Sequence, residues 1–167
     1  MNFYLYLQPH TLKPFSKTRK FISTFIIGVV LSCPLSFAQD NSVADSIIGE
    51  YIAEHQGEVS KVRISKEDDG TYTAQVIWVK NRTDKDGSVR LDEKNPDKSL
   101  RGVPCDEIVL IKGLKYNSEK KRWSDAKIYD PTRGIRANVM CEFIEGAVLR
   151  VRGSLLGFSQ SVYWQKN

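Results

Sequence analysis

Residues 123–153 read WSDAKIYDPTRGIRANVMCEFIEGAVLRVRG, and their periodicity limits the chain more than any other feature. Three runs alternate apolar and polar residues. Two turn signals join them, Asp130-Pro131-Thr132-Arg133-Gly134 and Glu145-Gly146. Successive side chains on a strand point to opposite faces, so such runs bury one face only when extended. Asp130 can cap its turn, Pro131 presets φ, and Gly134 can take the left-handed position that closes a hairpin. Ile135, Ala137, Val139, Cys141 and Phe143 then oppose Arg136, Asn138, Met140 and Glu142, and Leu149, Val151 and Gly153 oppose Arg150 and Arg152. The stretch predicts an antiparallel meander.

The same alternation recurs on both sides. A polar lead-in precedes a first strand over residues 47–52. Val62 and Ile64 oppose Lys61, Arg63 and Ser65; Tyr72, Ala74, Val76 and Trp78 oppose Thr71, Thr73, Gln75 and Ile77. Lys66-Glu67-Asp68-Asp69-Gly70 turns the chain between them. In residues 106–116 four consecutive apolar side chains fit helix or strand by period, and β-branching and Gly113 favour strand. A last run sets Phe158, Gln160, Val162 and Trp164 against Ser159, Ser161 and Tyr163. Eight short strands with no convincing amphipathic helix suggest a sandwich or barrel. Successive hairpins with one long connection favour a single antiparallel up-and-down β-barrel, whose closure removes unpaired edges. The long connection is residues 80–104, charged and punctuated by Gly87, Pro96, Gly102 and Pro104, with room for a short extra strand at 88–91. Irregular connections of that length are often functional.

Ahead of the barrel, residues 1–38 have the form of a signal peptide. Lys13, Lys17, Arg19 and Lys20 precede an apolar run at 21–31, and Pro34, Ser36 and Ala38 supply a cleavage site before Gln39. The run falls short of the ~20 residues of a spanning helix, so cleavage leaves no transmembrane span and an exported domain, periplasmic or secreted, over residues 39–167. Val30-Leu31-Ser32-Cys33 loosely resembles a lipid-attachment site, although Leu31 is bulky and Pro34 follows, so a lipoprotein is the alternative. Without the leader's four basic residues, 21 Lys and Arg face 20 acids. The basic character of the chain therefore belongs to the leader, and nothing points to nucleic acid. No metal site is expected, since residues 39–167 hold one histidine, His55, and no CxxC or HxxxH spacing. Cys105 and Cys141 can pair in an oxidising compartment or stay as buried thiols; both readings are open.

Lys94-Asn95-Pro96-Asp97, Leu100-Arg101-Gly102, Trp123, Ala126-Lys127-Ile128-Tyr129-Asp130-Pro131, Gly134, Leu149-Arg150-Val151-Arg152-Gly153 and the terminal Ser161-Val162-Tyr163-Trp164 resemble a bacterial family of exported proteins, the domain of unknown function numbered 2147. The resemblance implies a small barrel of the calycin type, related in architecture to lipocalins, with no activity, cofactor or catalytic residue to transfer. Such barrels tend to open with Gly-x-Trp, where this chain has Gly49-Glu50-Tyr51. By the same resemblance an arginine of the closing strands packs over the opening aromatic, which makes Arg152 over Tyr51 the expected cation–π pair.

A barrel of eight strands is filled by side chains or holds one small ligand. Ala137 and Gly153, small residues of the inward rows, leave a cavity or relieve crowding, and dense packing of interiors favours the second. Arg101 and Arg152, with Trp78, Trp123 and Tyr129 as aromatic wall, are the candidate ligand contacts; Asp130, Gly134, Gly153 and Trp164 are read as structural. An inward arginine needs a carboxylate partner. Either a pair ties the long loop to the barrel, or a fork binds an anionic ligand. The leading expectation is an exported barrel binding a small apolar or amphipathic molecule, gated by residues 80–104. An envelope scaffold without ligand is the second. An enzyme using carboxylates such as Asp125 and Glu142 is the third. A Ser-His-Asp triad is not expected around His55.

Overall fold

A computed structural model describes residues 41–167. The leader expected over residues 1–38, with Cys33, lies outside the described residues. A helical turn, α1 (Asn41–Ala44), runs into a 3₁₀ turn (Asp45–Ile47) and then into eight strands. These are β1 (Gly49–His55), β2 (Glu58–Lys66), β3 (Tyr72–Val79), β4 (Val109–Asn117), β5 (Arg122–Asp130), β6 (Ile135–Glu145), β7 (Val148–Leu155) and β8 (Phe158–Lys166). Each strand pairs antiparallel with its sequence neighbour, and β8 returns to β1, so the sheet is a closed up-and-down barrel.

Register follows the alternation. Cys141 stands opposite Val151, and Val151 opposite Val162. Leu149 stands opposite Trp164, which also faces Ala53 across the seam. All but the half-buried Val162 are buried, and cross-strand pairs of this kind are the units that hold a sheet together.

Register shifts interrupt four of the eight pairings, and two of them bear on residues expected at the site. The β2–β3 pairing shifts between Lys61 and Val62, so Val76 faces Val62 but Trp78 faces Lys61. One extra residue sends everything after it to the other side. Trp78, expected on the inner wall, is therefore 44% exposed outside the barrel, with Lys61 Nζ 5.8 Å over its ring. A second shift lies between Trp123 and Ala126, where Asp125 takes φ 64°.

The lead-in also differs from expectation. Residues 41–47 form a plug, and Ile47 belongs to it and not to β1. Ala44 and Ile47 are buried. The plug's polar atoms satisfy the ring donors that a buried Trp or Tyr must place. Trp123 Nε1 donates to the Ala44 carbonyl at 3.0 Å, the Tyr51 hydroxyl to the Ile47 carbonyl at 2.7 Å, and the Tyr72 hydroxyl to Asp45 Oδ1 at 2.6 Å. The cation over Tyr51 is not Arg152. Val151 and Gly153 take the inward places on β7, which turns Arg152 outward, where it donates to Ser159 Oγ at 2.8 Å. Lys166, directly opposite Tyr51 on β8, stands 5.8 Å over the ring instead.

Candidate ligand-binding cavity

In an up-and-down barrel the connections fall alternately at two ends. The plug closes the end that carries the β2–β3, β4–β5 and β6–β7 turns. The β1–β2, β3–β4, β5–β6 and β7–β8 connections ring the other, and there a cavity of about 600 Å³ opens. That lies within the range of sites holding one small molecule. Ala53, Val76, Ile128, Ala137, Val151, Val162 and Trp164 form an apolar wall. The space exists because small side chains face it. A Cβ built on Gly153 would meet Ile128 Cγ2 at 3.5 Å and Ala137 Cβ at 3.6 Å, which is ordinary contact. Gly153 and Ala137 thus leave room and do not relieve crowding, contrary to expectation.

The rim is polar. His55, Glu58, Arg90, Asp92, Asp130, Arg133 and Gln160 border it. Asp130 Oδ1 accepts from the backbone and hydroxyl of Thr132 at 2.9 and 2.6 Å, capping its turn as expected. Its Oδ2 accepts from Arg133 Nε at 2.6 Å and lies 3.8 Å from His55 Nε2. β1 and β5 stand four strands apart in a ring of eight, so the His55–Asp130 contact crosses the mouth. Arg133 Nη2 reaches Gln160 Oε1 on β8 at 3.5 Å, and Arg90 pairs with Glu58 at 3.2 Å. The apolar Leu91, Leu155, Leu156 and Phe158 complete the rim.

Burial raises the Asp130 carboxyl, but the hydrogen bonds from Thr132 and Arg133 and the guanidinium charge outweigh it, leaving the group below its ordinary value of 3.8. A depressed folded value stabilises above the unfolded pKa, and that contribution is lost as pH falls through the folded one. Asp130→Asn is therefore expected to melt lower than the wild type at neutral pH, with the difference shrinking as pH falls below the carboxyl's ordinary value. Paired thermal melts across an acid pH series check this.

The long connection is ordered by its contacts. The Tyr129 hydroxyl donates to buried Asp92 at 2.6 Å, and Asn95 Nδ2 donates to the same carboxylate at 2.6 Å. Arg101 Nε donates to the Asn95 carbonyl at 2.8 Å, and Lys94 Nζ to the Thr132 carbonyl at 2.6 Å. Arg136 caps the Tyr129 ring at 5.0 Å. The extra strand expected at 88–91 reduces to two isolated bridges, Thr83 with Val89 and Leu91 with Pro104.

Of the five ligand contacts expected, only Tyr129 borders the cavity, Trp78 being outside the barrel. Arg101 ties the loop, through a carbonyl and not a carboxylate. Trp123 sits at the plugged end, and Arg152 lies on the outer wall. Trp164, expected as structural, does both jobs: it packs 6.3 Å from the Tyr51 ring and borders the cavity. Both cysteines are free. Cys105 lies at the mouth, while Cys141 is buried in the core between Trp123 and Val151, where burial pushes its thiol up to about 12. Neither Asp125 nor Glu142 borders the cavity, and Glu142 is paired with Arg150. Among the described residues no three His, Cys, Asp or Glu side chains gather as a metal site needs. His55 and Arg133, in turns, and Arg90 and Asp92, in the long connection, are rim residues that strand periodicity did not single out.

A family model described as "Uncharacterized protein conserved in bacteria (DUF2147)" matches residues 49–166, the span of the barrel strands. No curated protein matches the chain. Among solved structures, Protein HP1028 from the human pathogen Helicobacter pylori, described as belonging to the lipocalin family, is similar with a TM-score of 0.57 and 22% identity, over 72% of this chain and 82% of that one. At that identity the likeness is one of fold, and the fold is a lipocalin-like barrel.

Proposed function

The chain belongs to the bacterial DUF2147 family, and on that premise we propose that it is an exported carrier of one small apolar or amphipathic molecule. The observation that carries this reading is the pairing of an apolar wall with a polar rim around about 600 Å³ of space. Apolar burial supplies affinity there, and the few converging polar groups orient a head group. An apolar tail lies against Val151, Val162 and Trp164. A hydrogen-bonding head meets His55, Asp130 and Arg133 at the mouth. Residues 80–104 act as a fixed wall and not as a swinging gate, since Asp92 and Lys94 are tied to β5 and its turn and Asn95 is tied to Asp92.

Titration with dansyl-aminoundecanoic acid tests it. Saturable one-to-one binding is expected, with blue-shifted emission and energy transfer from Trp164. An unsaturable signal, or one equal to that of the unfolded chain, would sink the reading. Export rests on the leader's composition. The protein recovered from its native periplasm is expected to begin at Gln39, as N-terminal sequencing would show. Recovery of the intact leader would count against it.

A further inference from the structure

We propose that the β7–β8 turn docks the mouth of the barrel onto an anionic lipid surface. The turn is Leu155-Leu156-Gly157-Phe158, with Leu155 paired to Phe158. Leu156 is 89% exposed and Phe158 83%, whereas every other exposed large hydrophobic among the described residues lies between 37% and 55%. Exposed apolar side chains gathered at one place mark a contact surface. These two are continuous with the cavity rim, to which Leu155, Leu156 and Phe158 all belong.

The backbone gives a second reason. Leu156 and Gly157 have φ 49° and 83°, so both central residues of this two-residue hairpin are left-handed. Asn-Gly is the sequence such a turn prefers, and a bulky side chain at the first place is unfavourable. The β1–β2 hairpin of the same barrel has the same geometry, with φ 51° and 81°, and uses the polar Gln56 with Gly57. A leucine kept where asparagine fits better, and kept in solvent, is explained by a surface that receives it.

Charge names the surface. From Val148 to Lys166 the hairpin carries no acidic residue, and its cations are Arg150, Arg152 and, at the plugged end beside Tyr51, Lys166. Arg150 is engaged by Glu142, but Arg152 is exposed and reaches Ser159 Oγ, beside the tip. Arg133 approaches the tip from the cavity side through Gln160 but is paired with Asp130. An apolar tip on a hairpin without acids, beside Arg152, which no carboxylate neutralises, suits insertion between headgroups of an anionic leaflet. Docked this way, the mouth faces the lipid, and an amphipathic ligand crosses without entering water. That last consequence rests on the carrier reading; the docking itself does not.

The test uses the polypeptide 39–167, which holds the whole closed barrel, with vesicles of phosphatidylcholine alone or mixed equally with phosphatidylglycerol. Sedimentation with the mixed vesicles is expected, together with weaker binding to neutral vesicles and at high salt. The double variant Leu156→Asn, Phe158→Ser is expected to lose roughly tenfold or more of the vesicle affinity. Its far-ultraviolet circular dichroism should match that of the wild type, so that the loss reads the surface and not the fold. Leu156→Asn alone should melt no lower than the wild type, because asparagine suits the turn. Equal sedimentation of wild type and double variant overturns the proposal, as does no sedimentation at all. A concentration-dependent dimer that the double variant abolishes also overturns it, since a second copy would then be the occupant. Loss of probe binding by the wild type would instead remove the carrier reading and leave docking standing.

Discussion

Replacing Gly134 with alanine is expected to destabilise the barrel by about 2–4 kcal/mol. Gly134 has φ 68°, where an L side chain costs roughly 1–2 kcal/mol by itself. The space is closed as well. An added Cβ would stand 2.3 Å from the Lys94 carbonyl oxygen and 3.2 Å from its carbon, both backbone atoms. That carbonyl cannot retreat freely. Lys94 Nζ holds the Thr132 carbonyl at 2.6 Å, and the next residue, Asn95, is bonded to buried Asp92. Gly70→Ala is the control. Gly70 has φ 80°, and nothing lies within 4 Å of a Cβ built there, so it reports strain alone. In urea the midpoint of Gly134→Ala should fall well below that of Gly70→Ala, with similar slopes. Equal losses would mean that the long loop yields, and its packing on the β5–β6 turn would not be the reason for glycine at this position.

That position shows what the sequence makes legible and what it hides. A glycine after Asp-Pro announces a turn, and the turn formed, capped by Asp130. Nothing local announces that the backbone of residue 94 lies on it, because that contact joins segments 40 residues apart. The eight strands and the inward rows of β6, β7 and β8 followed from alternation, which is a local property. Trp78 was misplaced for the same reason that the others were right. Alternation assumes one residue per step, and the bulge beside Lys61 adds one. Residues 40–46 read as a loose lead-in, since the donors that hold Ala44, Asp45 and Ile47 belong to Trp123, Tyr72 and Tyr51, elsewhere in the chain. The mouth was nearer to hand than the individual contacts suggested. Once an up-and-down barrel is inferred, every second connection must share an end. That alone brings His55, residues 80–104, Arg133 and Phe158 to one rim. Neither strand alternation, which governs Arg152, nor the loop composition around Arg101 carries that information, and neither arginine borders the cavity.

Gly153→Leu should separate binding from folding. Gly153 is on the cavity wall, its φ is not in the left-handed region, and a Cβ there makes only ordinary contact with Ile128 and Ala137. The rest of a leucine side chain must then extend into the space that the ligand would occupy. Affinity for the dansyl probe is expected to fall by roughly tenfold or more, since the same apolar wall is covered from inside. Stability should hold or rise. Filling an apolar void restores dispersion contacts, and removing glycine from a strand interior lowers the entropy lost on folding. The two possible roles of this glycine predict opposite melts. A residue that relieves crowding gives a variant destabilised by about 1–3 kcal/mol through overpacking. A residue that leaves room gives an intact barrel that no longer binds. A variant that melts like the wild type and still takes up the probe would place the ligand elsewhere, and the apolar wall of β6, β7 and β8 would then be core and nothing more.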